Sequence, residues 1–167
     1  MPTATKHTTE EIWKFLSEIP DPEIPVISIT ELGVLRKVDI ESSKVIVTIT
    51  PTYSGCPAMK TFEDDIKFKL QENNILDFEI KTIHSPAWTT DWITEDAREK
   101  LREFGIAPPI KGTADKGILF DSDKKSIPCP LCKSKNTRLK SQFGSTACKA
   151  LYTCNDCLEP FDYFKCI

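Results

Sequence analysis

Four cysteines form two C-x-x-C pairs, Cys129-Pro-Leu-Cys132 and Cys154-Asn-Asp-Cys157, separated by 21 residues. A C-x-x-C turn puts two thiolates on one side of a tight knuckle, each able to sit about 2.3 Å from a zinc ion, so two knuckles complete a tetrahedron. The spacing predicts a metal site at Cys129, Cys132, Cys154 and Cys157, with zinc the expected ion. Iron in the same cage would make the module an electron carrier of the rubredoxin kind, which visible colour would distinguish. A segment of about forty residues buries too little apolar surface to fold alone, and metal binding worth on the order of 10 kcal/mol offsets that deficit. Cys148 and Cys166 read as spare, small, partly buried residues; a swap of ligands stays open for Cys148, six residues before Cys154.

A further thiol stands apart, in Thr50-Pro51-Thr52-Tyr53-Ser54-Gly55-Cys56-Pro57. Proline suits the first position of a helix, which puts Cys56 at the N-cap, beside unpaired backbone N–H groups that favour a thiolate. Gly55 lets the backbone approach a ligand closely. The plain alternative is a buried filler. A cysteine nucleophile would need a base, and the two histidines, His7 and His84, have no sequence tie to Cys56. Asp21 and Glu23, held in the proline-stiffened Asp21-Pro22-Glu23-Ile24-Pro25, are better partners: they could ligate iron or orient the thiol, or else form a solvated turn. Thiol catalysis is disfavoured, and a transient metal or cluster ligand stays open.

The elements that must position these groups show in the hydrophobic periodicity. Thr8 and Glu11 form a capping box, and Ile12, Phe15, Leu16 and Ile19 follow at helical spacing up to Pro20. Val34, Val38 and Ile40 alternate, Glu41-Ser42-Ser43-Lys44 turns, and Val45, Val47 and Ile49 alternate again, which is a hairpin. Met59, Phe62, Ile66 and Leu70 predict a second helix ending near Asn73-Asn74. Leu76, Phe78, Ile80 and Thr82 predict a third strand. Thr94 caps a third helix with Glu95 and Asp96 in its first turn, core residues Ala97, Leu101 and Phe104, and Gly105 at its end. Between Pro108 and Ser126 the composition shifts to a linker whose apolar cluster is Ile118, Leu119 and Phe120. The expected class is α+β: a small helix-strand-strand-helix-strand-helix domain over residues 1–107, a linker over 108–126, and an antiparallel zinc ribbon over 127–167.

Composition fits a soluble globular protein: 167 residues, 40% apolar, 28% charged, net charge −3. No apolar run approaches the roughly 18 residues that span a bilayer, and the first residues are polar, so a cytoplasmic protein without membrane contact is expected. Seven cysteines, six of them after residue 128, argue for metal over a secreted disulfide framework. From Ile127 onward six basic residues stand against three acidic ones, +3 there against −6 elsewhere. That imbalance is ordinary for a solvated face, so no nucleic-acid partner is expected. Tyr152, Phe161, Tyr163 and Phe164 fit a small core better than base stacking. Trp88-Thr-Thr-Asp-Trp92 fits either an exposed contact or a buried hairpin end.

The stretch Ile19 to Gly33, together with the turn Thr50 to Pro57, resembles the small-domain family of iron-sulfur cluster assembly factors. Ser85 to Trp92, Phe143 to Ala150 and Glu159 to Ile167 resemble the D-subunit family of bacterial phenylacetate degradation, associated with the multicomponent phenylacetyl-CoA epoxidase, and this likeness covers nearly the whole chain. It implies an accessory or maturation subunit without catalytic activity of its own, which helps assemble or deliver iron-sulfur clusters to the reductase component that feeds the oxygenase subunits. By the same likeness the cluster-transfer thiol falls on Cys56, its supporting loops on Asp21, Glu23, Thr52 and Gly55, and the ribbon ligands on the four paired cysteines. The implied cofactors are structural zinc and a transient iron-sulfur cluster, and a homodimer stays open. A direct electron-transfer component of the oxygenase, or a zinc-ribbon module that binds protein or nucleic acid, are the alternatives.

Overall fold

The computed structural model describes residues 7–110 and 126–165. The linker cluster Ile118, Leu119 and Phe120 and the thiol Cys166 lie outside them. The chain divides into two units, Met1–Trp88 and Thr89–Ile167.

In the first unit, α1 (Thr9–Leu16) starts on the expected capping box. The Thr8 hydroxyl accepts the Glu11 N–H at 3.2 Å, and the Glu11 carboxylate accepts the Thr8 N–H at 2.9 Å. The helix ends a turn before Pro20, because the Ser17 hydroxyl donates to the carbonyls of Trp13 and Lys14 at 2.8 and 2.9 Å and satisfies its last turn. β1 (Leu35–Glu41) and β2 (Lys44–Ile49) form the hairpin. Its corner holds Ser42 and Ser43 at φ 49° and 73°, the pair of left-handed residues whose twist matches the flanking strands.

α2 (Ala58–Glu72) buries Ala58, Phe62, Ile66 and Leu70 and supplies the crossover that parallel pairing of β2 with β3 (Phe78–Thr82) requires. The sheet order is β1-β2-β3. Strand β3 starts two residues later than the alternation predicts, and Leu76 is 77% exposed. The cause is the end of α2: the Asn74 N–H bonds the Gln71 carbonyl and the Ile75 N–H bonds the Leu70 carbonyl, both at 2.9 Å, with Asn74 at φ 59°. In such a cap the residue after the left-handed position packs inward, so Ile75 takes the buried place. Trp88 is buried too, its indole N–H donating to the Leu32 carbonyl at 2.9 Å, which settles its half of the Trp88–Trp92 loop as interior.

The second unit runs from a 3-10 turn (Thr90–Trp92) into α3 (Glu95–Glu103), capped by Thr94 as expected. A four-stranded sheet follows, ordered β4-β7-β6-β5: β4 (Ile106–Ala107), β5 (Thr137–Ser141), β6 (Lys149–Cys154) and β7 (Pro160–Phe164). β5, β6 and β7 are the antiparallel ribbon, and β4 joins it in parallel, Ile106 opposite Asp162 and Ala107 opposite Tyr163. That pairing draws α3 and Ile106–Ala107, placed by composition in a front domain over 1–107, into the unit that holds the ribbon. Phe104, expected in the core, is the C-cap of α3 and 51% exposed, while Arg98 within the helix is 2% exposed. Arg98 is held inside by its guanidinium, which donates to the carbonyls of Thr90, at 2.7 Å, and Pro109.

The two phenylalanines of α2 test the packing. Phe62→Ala should lower the unfolding free energy by about 3–5 kcal/mol in urea titration, whereas Phe68→Ala should change it by no more than about 0.5 kcal/mol.

Candidate metal centre

The four paired cysteines converge. Their sulfurs all lie within 4.8 Å of one another, with Cys129–Cys157 at 3.8 Å and Cys132–Cys154 at 3.5 Å. Four thiolates about 2.3 Å from a shared zinc ion stand about 3.8 Å apart, so the donor set and its spacing fit such a site.

Two matching knuckles build the site. In each, the residue after the second cysteine is left-handed, Lys133 at φ 63° and Leu158 at φ 66°. The Cys129 N–H bonds the Ser134 carbonyl at 2.9 Å and the Cys154 N–H bonds the Glu159 carbonyl at 3.0 Å, so each first cysteine is tied to the far side of its own turn. Polar side chains clamp one knuckle to the other. Asp156 accepts from Ser134 at 2.5 Å and from Asn136 at 2.8 Å, bonds that hold its carboxyl below the usual range, and Asn155 donates to the Asn136 side chain at 2.9 Å. Behind the knuckles, Tyr152 stacks on Phe161 and meets Tyr163 edge-on, both at 5.8 Å between ring centres. Ile127, Ala107 and Ala150 complete this core.

The electrostatics of the cluster call for a cation. The Cys157 N–H, opposed by burial and helped by the Asp156 N–H, lowers Cys154 to about 7. At Cys157 the Glu159 N–H pulls downward, yet burial and the sulfurs of Cys132, Cys154 and Cys129 push the thiol up to about 12. Thiols this close cannot all ionise together on their own; a divalent ion among them stabilises all four as thiolates.

Cys148 is outside the cluster. It is 8% exposed, with the Thr146 hydroxyl 3.1 Å from its sulfur, as a small buried residue would be. Two of the basic residues behind the local positive charge are buried as well. Lys149 lies 3.8 Å from Asp162, and Lys165 donates to the Gln142 carbonyl and sits 4.5 Å over the Phe143 ring. Tyr152, Phe161, Tyr163 and Phe164 are all buried, as residues of a small core would be.

The Cys56 loop belongs to the first unit. β1 and β2 pair antiparallel, Leu35 opposite Ile49, and the Thr50 N–H extends the ladder to the Val34 carbonyl at 2.9 Å. The loop before β1, with Asp21 and Glu23, and the loop after β2, with Cys56, therefore leave the sheet at the same end. Pro57, not Cys56, is the N-cap of α2, one residue later than the proline rule predicts, because the helix starts at Ala58. Cys56 is half-buried; its N–H bonds the Tyr53 carbonyl at 3.2 Å, and the Thr52 hydroxyl points at its sulfur at 3.8 Å. Gly55 has φ +78°, and nothing lies within 4 Å of where a side chain would begin. Asp21 is 7% exposed and spends one carboxylate oxygen on the N–H groups of Glu23 and Ile24, both at 2.8 Å, while Glu23 is exposed. His7 bonds the Asn73 carbonyl at 3.2 Å, and His84 is exposed.

An α+β domain with a thiol ahead of its second helix, followed by a four-cysteine ribbon, defines the class, and comparison with known proteins agrees. Residues 9–74 match the iron-sulfur cluster assembly protein family, and residues 114–165 match the PaaD zinc beta ribbon domain. The chain is 49% identical over 157 residues, 94% of its length and 92% of the relative's, to a protein of Escherichia coli strain K12 described as the D subunit of a putative 1,2-phenylacetyl-CoA epoxidase. It belongs to that D-subunit family. Its front part is also 32% identical over 96 residues to an Fe-S protein maturation auxiliary factor of Porphyromonas gingivalis, covering 56% of this chain and 90% of that one. A solved domain of unknown function (DUF59) from Bacillus anthracis shares the fold at TM-score 0.52 and 24% identity, over 56% of this chain and 90% of that chain.

Metal content tests the cluster. Cys129→Ser should reduce bound metal from about one ion per chain to near none and abolish the near-ultraviolet circular dichroism of the ribbon tyrosines. Cys148→Ser should leave both unchanged, as read by elemental analysis of protein purified without added ions.

Proposed function

We propose that this chain is an accessory maturation factor of a phenylacetyl-CoA epoxidase system, assisting assembly of an iron-sulfur cluster or its delivery to the reductase component. Cys56 is the thiol that handles the cluster as cargo. Thr52, whose hydroxyl meets the sulfur, and Gly55, whose open backbone leaves room beside it, support that thiol, with Asp21 and Glu23 on the neighbouring loop. The single observation behind this reading is the half-buried Cys56 sulfur, reachable at the approach to a helix and outside the four-cysteine cluster. A cluster in transit needs such a ligand: accessible enough to meet a partner and free of a resident ion. The D-subunit and maturation-factor relatives supply the setting.

The ribbon, in this reading, holds zinc for shape alone. Zinc has no redox chemistry, and a closed set of four thiolates leaves no open position for a substrate. Partners are the iron-sulfur reductase and, through it, the oxygenase subunits, and the chain has no catalytic step of its own. Among the described residues no helix is long and apolar enough to cross a membrane, in keeping with a cytoplasmic setting.

The competing reading, an electron-transfer component, draws on the same four-thiolate donor set, which also suits iron. Epoxidation reconstituted from matured components separates the two. Under the maturation role, omitting this protein leaves turnover unchanged, and a strain lacking it makes the reductase with little cluster. Cys56→Ser should abolish complementation of that strain while leaving thermal unfolding within about 1 kcal/mol of the parent. A fully loaded reductase in the deletion strain would overturn the proposal.

A further inference from the structure

Strand β3 is an edge. In the order β1-β2-β3 it has one strand neighbour among the described residues, and the opposite edge strand, β1, has α1 against it. The hydrogen-bond phase of β3 follows from two bonds: the Val45 N–H reaches the Asp77 carbonyl and the Ile83 N–H reaches the Ile49 carbonyl. Odd-numbered residues of β3 therefore bond β2, and Phe78, Ile80 and Thr82 direct their N–H and C=O groups away from the sheet. Such an edge is a template for another strand, and proteins blunt an unused one with a very short strand, lysine or other charge, proline or a bulge; Glu79 and Lys81 are the charges β3 carries. The described β3 contains no proline and pairs with β2 without a register shift.

Its sequence, Phe78-Glu79-Ile80-Lys81-Thr82, is complementary to itself when reversed. With two copies antiparallel and Ile80 opposite Ile80, the outward groups of Phe78, Ile80 and Thr82 exchange bonds with those of Thr82, Ile80 and Phe78. Glu79 of each copy then faces Lys81 of the other in the non-bonded positions, where side chains come closest. The other registers centred on an outward residue lose this match: centred on Phe78, Asp77 faces Glu79; centred on Thr82, Lys81 faces Ile83. Glu79 and Lys81 are half-exposed and share one face of the sheet, with Lys44 2.9 Å from Glu79. The edge thus carries its own register signal for a two-fold contact.

We propose that a second copy of this chain docks here, β3 against β3, joining two three-stranded sheets into one. A contact of a single strand pair is small, so the dimer is weak and depends on concentration. It is independent of any cluster chemistry at Cys56.

Sedimentation equilibrium of the full chain tests it with two charge variants. Lys81→Glu leaves the Lys44–Glu79 bridge intact and sets Glu79 of one copy against the introduced carboxylate of the other; Glu79→Lys sets lysine against lysine. Each variant alone should dimerise about tenfold more weakly than the parent, while an equimolar mixture, in which every cross-strand pair is again opposite in charge, should regain parental affinity as a heterodimer. A parent that stays monomeric up to about 100 µM would overturn the proposal. So would variants that dimerise like the parent, or a mixture no tighter than its components.

Discussion

Four sulfurs gathered within 4.8 Å repel one another as thiolates, and the second unit rests on resolving that repulsion. A divalent cation among them turns the repulsion into attraction, and the rest of the ribbon is arranged to present those sulfurs. The two left-handed residues Lys133 and Leu158 close the knuckles, Asp156 and the asparagines clamp one to the other, and the Tyr152–Phe161–Tyr163 cluster supports them from behind. The apolar core is modest, so metal and packing depend on each other: the sheet fixes the direction of each cysteine, and the ion compensates for what the sheet buries too little to stabilise.

The first unit follows a different logic. Its apolar face is ample, with Phe62, Ile66 and Leu70 of α2 and Val45, Val47 and Ile49 of β2 all nearly inaccessible. That apolar face supports the two irregular loops that leave the sheet at one end. The loop before β1 is self-sufficient, since Asp21 satisfies the N–H groups of Glu23 and Ile24. The loop after β2 is more open, with a positive-φ glycine and a sulfur that meets a hydroxyl. Rigid elements with one accessible thiol suit transient exchange, as closed coordination suits permanence.

Features fixed by local chemistry were readable in the sequence. The capping box at Thr8 and Glu11, the serine hairpin corner and the two cysteine knuckles each depend on a few neighbouring residues, and each stands where its spacing places it. What eluded the sequence depends on distant partners. Ile106 and Ala107 are too short a run to show strand alternation, and their partner β7 lies far along the chain. Lys149 and Lys165 belong by sequence to a solvated face, and nothing in the nearby sequence reveals the aspartate and the carbonyl that receive them, nor the carbonyls that hold Arg98. Phe104 is exposed at the C-cap of α3, and at the end of α2 the left-handed Asn74 turns Ile75 inward and leaves Leu76 exposed. Both are consequences of geometry at a helix end, which hydrophobic periodicity does not encode.

In the proposed role the thiols divide, four committed to an ion and Cys56 open to exchange. Alkylation of the native metal-loaded protein, followed residue by residue by mass spectrometry before and after chelation, tests it most directly. The expected result is rapid labelling of Cys56 while Cys129, Cys132, Cys154 and Cys157 stay protected until the chelator is added. Protection of Cys56, or labelling of the four paired cysteines at the same rate without a chelator, would contradict it.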